Sequence, residues 1–298
     1  MTKLFRRRQR TNSDIAFDWM FNIFGFIALI VCFYPMFFVV IASFSDPKLV
    51  LTGQTFFLPK GLTVEGYRQV FADPRIWTGL RNTIAYTVVG TLFSLITTLL
   101  GAYALSRKEL VGRKFFMVFF TVTMFFGGGM IPTYLVVSDL GLLNNFWVMI
   151  LPTAISVYNL FITRTFFASN IPEDLFEAAR LDGCSYTRFF FQVALPLCKS
   201  IIAVIALYYA VGYWNEYYKV LLYISDESMT SLQMVLRQIL MNSQESADQA
   251  GSSYAAALMT VESIKYSLIV VATLPIMIVY PFLQKYFAKG VMLGSLKG

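Results

Sequence analysis

Residues 19–43 read WMFNIFGFIALIVCFYPMFFVVIAS. No side chain in this stretch carries a charge, and as a helix it would rise about 37 Å. The hydrocarbon core of a bilayer is about 30 Å thick and needs roughly 20 apolar residues to cross it. The run follows a basic start, Met1–Arg10 (MTKLFRRRQR), so a secretory signal is the competing reading. It is longer than the apolar core of a signal, and it contains no A-x-A-like cleavage site. The stretch is therefore read as an uncleaved first membrane helix, with residues 1–18 as a short cytoplasmic segment ahead of one transmembrane domain, 19–298.

The rest of the chain agrees with that start. Of its 298 residues 57% are hydrophobic and only 14% are charged, whereas a soluble domain carries about 25% charged residues. There is no histidine, which removes His-based acid–base catalysis, His-containing triads and His-ligated metal sites. Cys32, Cys184 and Cys198 show neither CxxC nor metal-ligand spacing and are expected to be reduced structural thiols.

Six stretches are long and apolar enough to span: about Trp19–Ser43, Asn82–Ser106, Phe115–Val137, Phe146–Thr165, Ser200–Trp214 with some extension, and Ser263–Leu283. With both termini in the cytoplasm, 16 of the 24 basic residues and 7 of the 17 acidic ones fall inside. The net charge of +7 then divides into +9 inside and −2 outside, satisfying the positive-inside rule. The basic balance is an orientation signal, and no nucleic-acid role is assigned. Long segments remain at 166–199, inside, and at 44–81 and 215–262, outside.

The inner segment contains SNIPEDLFEAARLDGCSYTRFFFQVALPLCKS, Ser169–Ser200. Pro172 suits a first helical turn, and Glu173 and Asp174 suit the positive end of a helix. Leu175, Phe176 and Ala179 are apolar at helical spacing. Gly183 fits the left-handed position after a helix, and Ser185 can cap the next one. The pattern is helix, turn, helix on the cytoplasmic face. Such a helix can dock a partner protein or lie on lipid. Lipid-lying helices are usually basic on their polar face, and Glu173, Asp174, Glu177 and Asp182 count against that alternative.

Within this loop Glu177-Ala178-Ala179, Asp182-Gly183, Val193 and Leu195-Pro196 resemble the EAA–G–I-x-LP loop of binding-protein-dependent ABC importer permeases, with Val in place of the usual Ile. Three further stretches resemble carbohydrate importers of the maltose-transporter type: Gly127–Tyr134 followed by Leu140–Asn144, Gly212–Asn215, and the ending from Gln284. The nearest likeness is to the branch tied to complex oligosaccharides such as aldouronates or pectin fragments. The resemblance implies an all-α permease fold of the type I importers, with six spans. It further implies a bacterial cytoplasmic membrane location and a coupling role for Glu177, Ala178, Ala179, Asp182, Gly183, Leu195 and Pro196. The implied partners are a second, unlike but homologous permease, a dimer of ABC ATPase subunits and an extracytoplasmic solute-binding protein. ATP and Mg would be bound by the ATPases. This chain has no G-x-x-x-x-G-K-[ST] of its own, so it is expected to be a transport subunit and not an enzyme.

The glycines at 127–129 lie within the third stretch and are expected to serve close helix packing. Ser231–Leu240 shows a helical pattern in Leu232, Val235, Leu236 and Ile239, either a cover for the bundle or a loop that meets the binding protein. Aromatic, amide and hydroxyl groups suited to a sugar stand at Tyr134, Tyr158, Asn159, Trp214 and Asn215, though Tyr and Trp are also ordinary residents of membrane interfaces. Glu216, the acid nearest a span, is expected to be solvated. The alternative function is an ion-coupled secondary transporter. It would call for inverted repeats and ion sites at mid-membrane, and the sequence displays neither.

Overall fold

The structure, a computed structural model, describes residues 12–249, 259, 261–278 and 281. Among the described residues the chain is helical, with no strand. The helices are α1 (Asn12–Ser43), α2 (Pro47–Leu51), α3 (Glu65–Ala72), α4 (Pro74–Ser106), α5 (Arg113–Phe125), α6 (Met130–Asp139), α7 (Val157–Asn170), α8 (Glu173–Leu181), α9 (Tyr186–Phe189), α10 (Leu195–Leu197), α11 (Lys199–Trp214), α12 (Tyr218–Tyr223), α13 (Leu232–Gln249) and α14 (Val261–Ile278).

Three helices are each long and apolar enough to cross a bilayer: Phe17–Ser43 within α1, α4 and α14. Three more candidates pass only as bent pairs. They are α5 with α6 (115°), Phe146–Thr153 with α7 (55°) and Tyr186–Leu197 with α11 (84°). Six spans are reached only if each bent pair counts as one.

Several expected boundaries shift for local reasons. α4 starts at Pro74 and not at Asn82. Asp73 caps it by accepting the Arg75 N–H at 2.9 Å, and Pro74 takes the first helical turn. The third stretch is not continuous. Its glycines end α5, and Gly129 adopts φ +87° before α6 begins. They break the helix, and among the described residues no atom lies within 4 Å of where a Cβ would stand on Gly127 or Gly129. The fourth stretch opens with two 3₁₀ turns, Phe146–Met149 and Leu151–Thr153. Ser156 then caps α7. Of the sixth stretch, residues 279–280, 282 and 283 lie outside the described residues, as do the basic start and the chain ending from Gln284.

The chain divides into two compact units, one comprising residues up to Val70 with Ser243–Val270, the other Phe71–Asn242 with residues from Val271 on. In the first unit the side chains of α1 from Asp18 to Phe33 are exposed. Nearer its end, Ser43 shares a hydrogen bond with Tyr67 at 2.7 Å. Gly66 of α3 lies so near α14 that a Cβ there would stand 2.3 Å from the Ser263 carbonyl oxygen. Only glycine permits that approach.

The second unit is organised by α4. Its buried face includes Gly79, Thr83, Gly90, Ser94 and Thr98, small residues that let helices come close within a membrane. Against it α11 sets two tyrosines one turn apart. Tyr213 OH shares a hydrogen bond with Ser94 Oγ at 2.8 Å, and Tyr209 OH one with Thr98 Oγ1 at 2.7 Å. A Cβ on Gly90 would stand 2.7 Å from the Tyr213 ring. Nearer its start α4 pins the segment leading into α13. Asn82 Nδ2 donates to the Ser228 carbonyl at 2.7 Å, Tyr86 OH to that of Met229 at 2.8 Å, and the Leu232 N–H donates to Thr83 Oγ1 at 2.8 Å. Leu232, Val235, Leu236 and Ile239 are all buried, as their spacing predicts.

Candidate functional site

The segment carrying the EAA pattern folds as helix, turn, helix. Pro172 stands one position earlier than expected, as the residue preceding α8, in an extended conformation. Glu173 and Asp174 occupy the first turn. The buried side chain of the helix is Phe176, set against the rings of Tyr186 and Phe189, each with its centroid 5.1 Å away. From the residue after α4, the Arg107 guanidinium lies over three rings, Tyr103 at 4.9 Å, Phe176 at 5.2 Å and Phe189 at 5.7 Å. A cation over aromatic faces at such distances is attracted to them. Lys108 makes an ion pair with Glu173. Both ties join the end of α4 to α8.

The other face of α8 is open. Glu177, Ala178, Asp182 and Gly183 are exposed, and Leu181 keeps 89% of its surface open. The helix closes in a Schellman arrangement. The Gly183 N–H donates to the Arg180 carbonyl at 3.0 Å, and the Cys184 N–H to that of Ala179 at 2.9 Å. Gly183 takes φ +75°. Ala179 and Cys184 both pack on the aromatic core beneath. Ser185 then caps α9 by accepting the Arg188 N–H at 3.3 Å.

Leu195 and Pro196 stand just before the 84° bend. Proline has no N–H to donate and crowds the carbonyl four residues earlier. The preceding turn widens to a π-helix over Phe190–Ala194, a rare form that occurs mostly as single turns within helices. Cys198, buried, is the pivot residue, with φ −105° and ψ 24° between α10 and α11. The motif's second half thus directs the chain into α11.

The five residues expected along a sugar path do not gather. Tyr158 and Asn159 are neighbours on α7, but successive helical residues point about 100° apart. Tyr158 lines an apolar groove with Phe161, Ile162 and Phe166. Asn159 is buried at the wall of a separate polar cleft of about 360 Å³. Trp214 is a packing residue, buried and donating its indole N–H to the Ala272 carbonyl at 3.0 Å. Asn215 is exposed and satisfied locally by the Val211 carbonyl at 2.9 Å. Tyr134 stacks on Tyr223, with 6.0 Å between centroids.

Glu216 is not solvated as expected. It forms an ion pair with the buried Lys219 at 3.2 Å and accepts the Lys219 backbone N–H at 3.1 Å. Lys219 Nζ also donates to the Met149 carbonyl at 3.0 Å and to Thr153 Oγ1 at 2.6 Å. Burial pulls this ammonium below the usual lysine range, while Glu216 works against the shift.

A family model described as binding-protein-dependent transport system inner membrane component matches residues 97–293. The chain belongs to this family. It is 42% identical over 278 residues to the polygalacturonan/rhamnogalacturonan transport system permease protein YtcP of Bacillus subtilis (strain 168), covering 93% of this chain and 97% of that one. It is 44% identical over 264 residues to protein LplC of the same strain, covering 89% of each chain. A crystal structure of a bacterial ABC transporter involved in the import of the acidic polysaccharide alginate holds a chain of the same fold. Its TM-score is 0.84 at 33% identity, covering 93% of this chain and 98% of that one.

The permease therefore has two regions of interest in its second unit, the α8 loop and the polar cleft. The sequence pointed to the first in full but left Arg107 out, because nothing in a run of basic residues says which one turns inward. Of the cleft's lining it points to Asn159 as a sugar contact and to Glu216 only as a solvated acid. Lys219 carried a usable signal, a cation inside the apolar run Tyr217–Tyr223, where an unpaired charge would be costly.

Proposed function

We propose that this permease is one membrane subunit of an ATP-driven importer of oligosaccharides. In this reading it has six spans, counting each bent pair as one, with both chain ends and the α8 loop on the cytoplasmic side. Two copies of an ABC ATPase bind beneath it, ATP and Mg reside in them, and a second, homologous permease completes the path. A solute-binding protein delivers the sugar from outside. The substrate class is supported by the relatives, whose descriptions speak of polygalacturonan, rhamnogalacturonan and alginate.

The observation that carries the coupling role is the division of α8 into two faces. Phe176 is locked into the aromatic core while Glu177, Ala178 and Leu181 stand exposed. A partner that grips the open face and moves would carry Phe176 with it, and through Phe176 and Arg107 the end of α4. ATP binding closes the ATPase pair, α8 follows as a rigid element, and the spans tilt between two arrangements. Such a change needs contacts that differ between the two states.

Co-purification tests this. Tagged permease extracted in mild detergent is expected to bring down an ATPase subunit. Leu181→Asp, which alters an exposed side chain, is expected to lower that yield at least tenfold with membrane insertion unchanged. An unmodified chain that brings down no ATPase overturns the proposal, as does a Leu181→Asp variant that binds as well as the original.

A further inference from the structure

The polar cleft has a composition that a lipid-facing surface does not tolerate. Hydroxyl and amide groups of the fourth and fifth stretches line it, together with Glu216 and Lys219 from the segment after them, and polar groups inside a membrane face a cavity or a partner. Most of them are already engaged. Tyr209 OH is held by Thr98 and accepts the Ser156 N–H at 3.0 Å, and Tyr213 OH is held by Ser94. Lys219 Nζ has three partners in Met149, Thr153 and Glu216.

Asn159 differs. The residue is only 6% exposed and lines the cleft, yet among the described residues no hydrogen bond engages its side-chain amide. Its backbone is spoken for, since the N–H donates to Ser156 Oγ and the carbonyl accepts from Thr163. The amide thus keeps two donors and an acceptor for something inside the cleft. Tyr208, 46% exposed, sets an aromatic ring at the wall. An aromatic side chain and an unengaged amide lining one cleft match a pyranose, which presents an apolar face and pairs of hydroxyls. The volume, about 360 Å³, falls within the range of small-ligand sites.

The charges in the cleft narrow the chemistry. Glu216 and Lys219 are the charged residues lining it, and they neutralise each other. A ligand carboxylate would find no free cation among these lining residues, because every Lys219 donor is engaged.

The geometry points to this cleft as a sugar-binding subsite within the permease, with Asn159 as its main polar contact, that recognises hydroxyl groups and not carboxylates. The assignment rests on the importer reading above and adds where, and by what chemistry, this subunit touches its cargo.

The test uses the complete importer in proteoliposomes with saturating binding protein, and two probes that differ only at C6 of each sugar unit, a galactose trisaccharide and a galacturonate trisaccharide. Whichever of them the complex imports, Asn159→Leu is expected to lower its maximal uptake at least tenfold. Asn159→Asp keeps an acceptor for hydroxyls but adds an unpaired negative charge. It is expected to hold galactose uptake within threefold and to lower galacturonate uptake at least tenfold. Tyr208→Leu, at an exposed wall position, is expected to lose threefold to tenfold and decides the matter if the Asn159→Leu complex does not assemble. Uptake within twofold of the original in Asn159→Leu, or in Tyr208→Leu where that variant decides, overturns the assignment while leaving the importer reading intact. A loss in Asn159→Leu that is at least tenfold greater for the galacturonate probe than for the galactose probe overturns its indifference to carboxylates. ATP-driven uptake of neither probe by the unmodified complex overturns the importer reading and this one with it.

Discussion

Gly183 offers a test in which conformation and contact give opposite answers. Its φ of +75° is in the left-handed region, and among the described residues no atom lies within 4 Å of where a Cβ would stand. A substitution there meets no neighbour in the described chain, so its whole cost is conformational. For an ordinary residue that cost is about 1–2 kcal/mol, and for β-branched valine about 3 kcal/mol. Asparagine visits this region with little penalty. Each 1.4 kcal/mol shifts an equilibrium about tenfold. The ratio of capped to frayed α8 is therefore expected to fall roughly tenfold in Gly183→Ala, about a hundredfold in Gly183→Val, and least in Gly183→Asn. The assay is ATP-dependent uptake by the assembled importer, normalised to permease in the membrane, with ATP hydrolysis followed in parallel. The expected order of uptake, from highest to lowest, is the original chain, Gly183→Asn, Gly183→Ala and Gly183→Val, with hydrolysis less affected than uptake. Asparagine and valine are similar in bulk. If Gly183→Asn is as damaging as Gly183→Val, the position is a close-approach site for a partner, and the argument from backbone conformation is refuted.

Other expectations concern stability, read as thermal unfolding of purified permease in detergent. Gly90→Ala forces the Tyr213 ring aside and should cost about 1–3 kcal/mol, whereas Gly127→Ala, with open space around it, should be nearly neutral. A reversed order contradicts the packing described. Phe176→Ala removes the anchor of α8 and should cost about 3–5 kcal/mol, with ATPase co-purification falling alongside. Lys219→Met strands Glu216 and should cost several kcal/mol; adding Glu216→Gln should recover part of that, and a double variant no better than the single one would show that the pair is not coupled. A double-mutant cycle on Ser94→Ala and Tyr213→Phe should give a coupling of about 0.6 kcal/mol.

Much of this was legible because it depends on residues close in sequence. The α8 loop could be read from its own letters. Phe176, Gly183 and Ser185 do in the structure what their spacing and chemistry suggest, and the four apolar residues of α13 are buried together. Such features follow from helical period and end chemistry, which need no knowledge of the rest of the fold. The breaks were harder. Hydropathy summed across Phe115–Val137 is indifferent to direction, so a 115° bend at Phe126–Gly129 leaves no mark on it. The glycines gave the place, but packing and breaking are both natural uses of glycine, and only the fold shows the bend there. The cleft was hardest, since Thr153, Asn159, Tyr209 and Lys219 meet only after three helices are folded together. Trp214 and Asn215 have chemistry that suits a sugar, and the fold spends that chemistry on its own backbone.

The two tyrosine–hydroxyl pairs between α4 and α11 have a mechanical consequence. The helices run antiparallel there, because Ser94 meets Tyr213 while Thr98, one turn on, meets Tyr209. Sliding α11 by one helical turn, about 5.4 Å, in either direction brings Tyr213 to Thr98 or Tyr209 to Ser94 and keeps one hydroxyl pair of the two. Intermediate positions keep neither. The interface is thus graduated like a ratchet with one deep notch between two shallow ones, and a load arriving through α8 would meet steps and not a continuous slope.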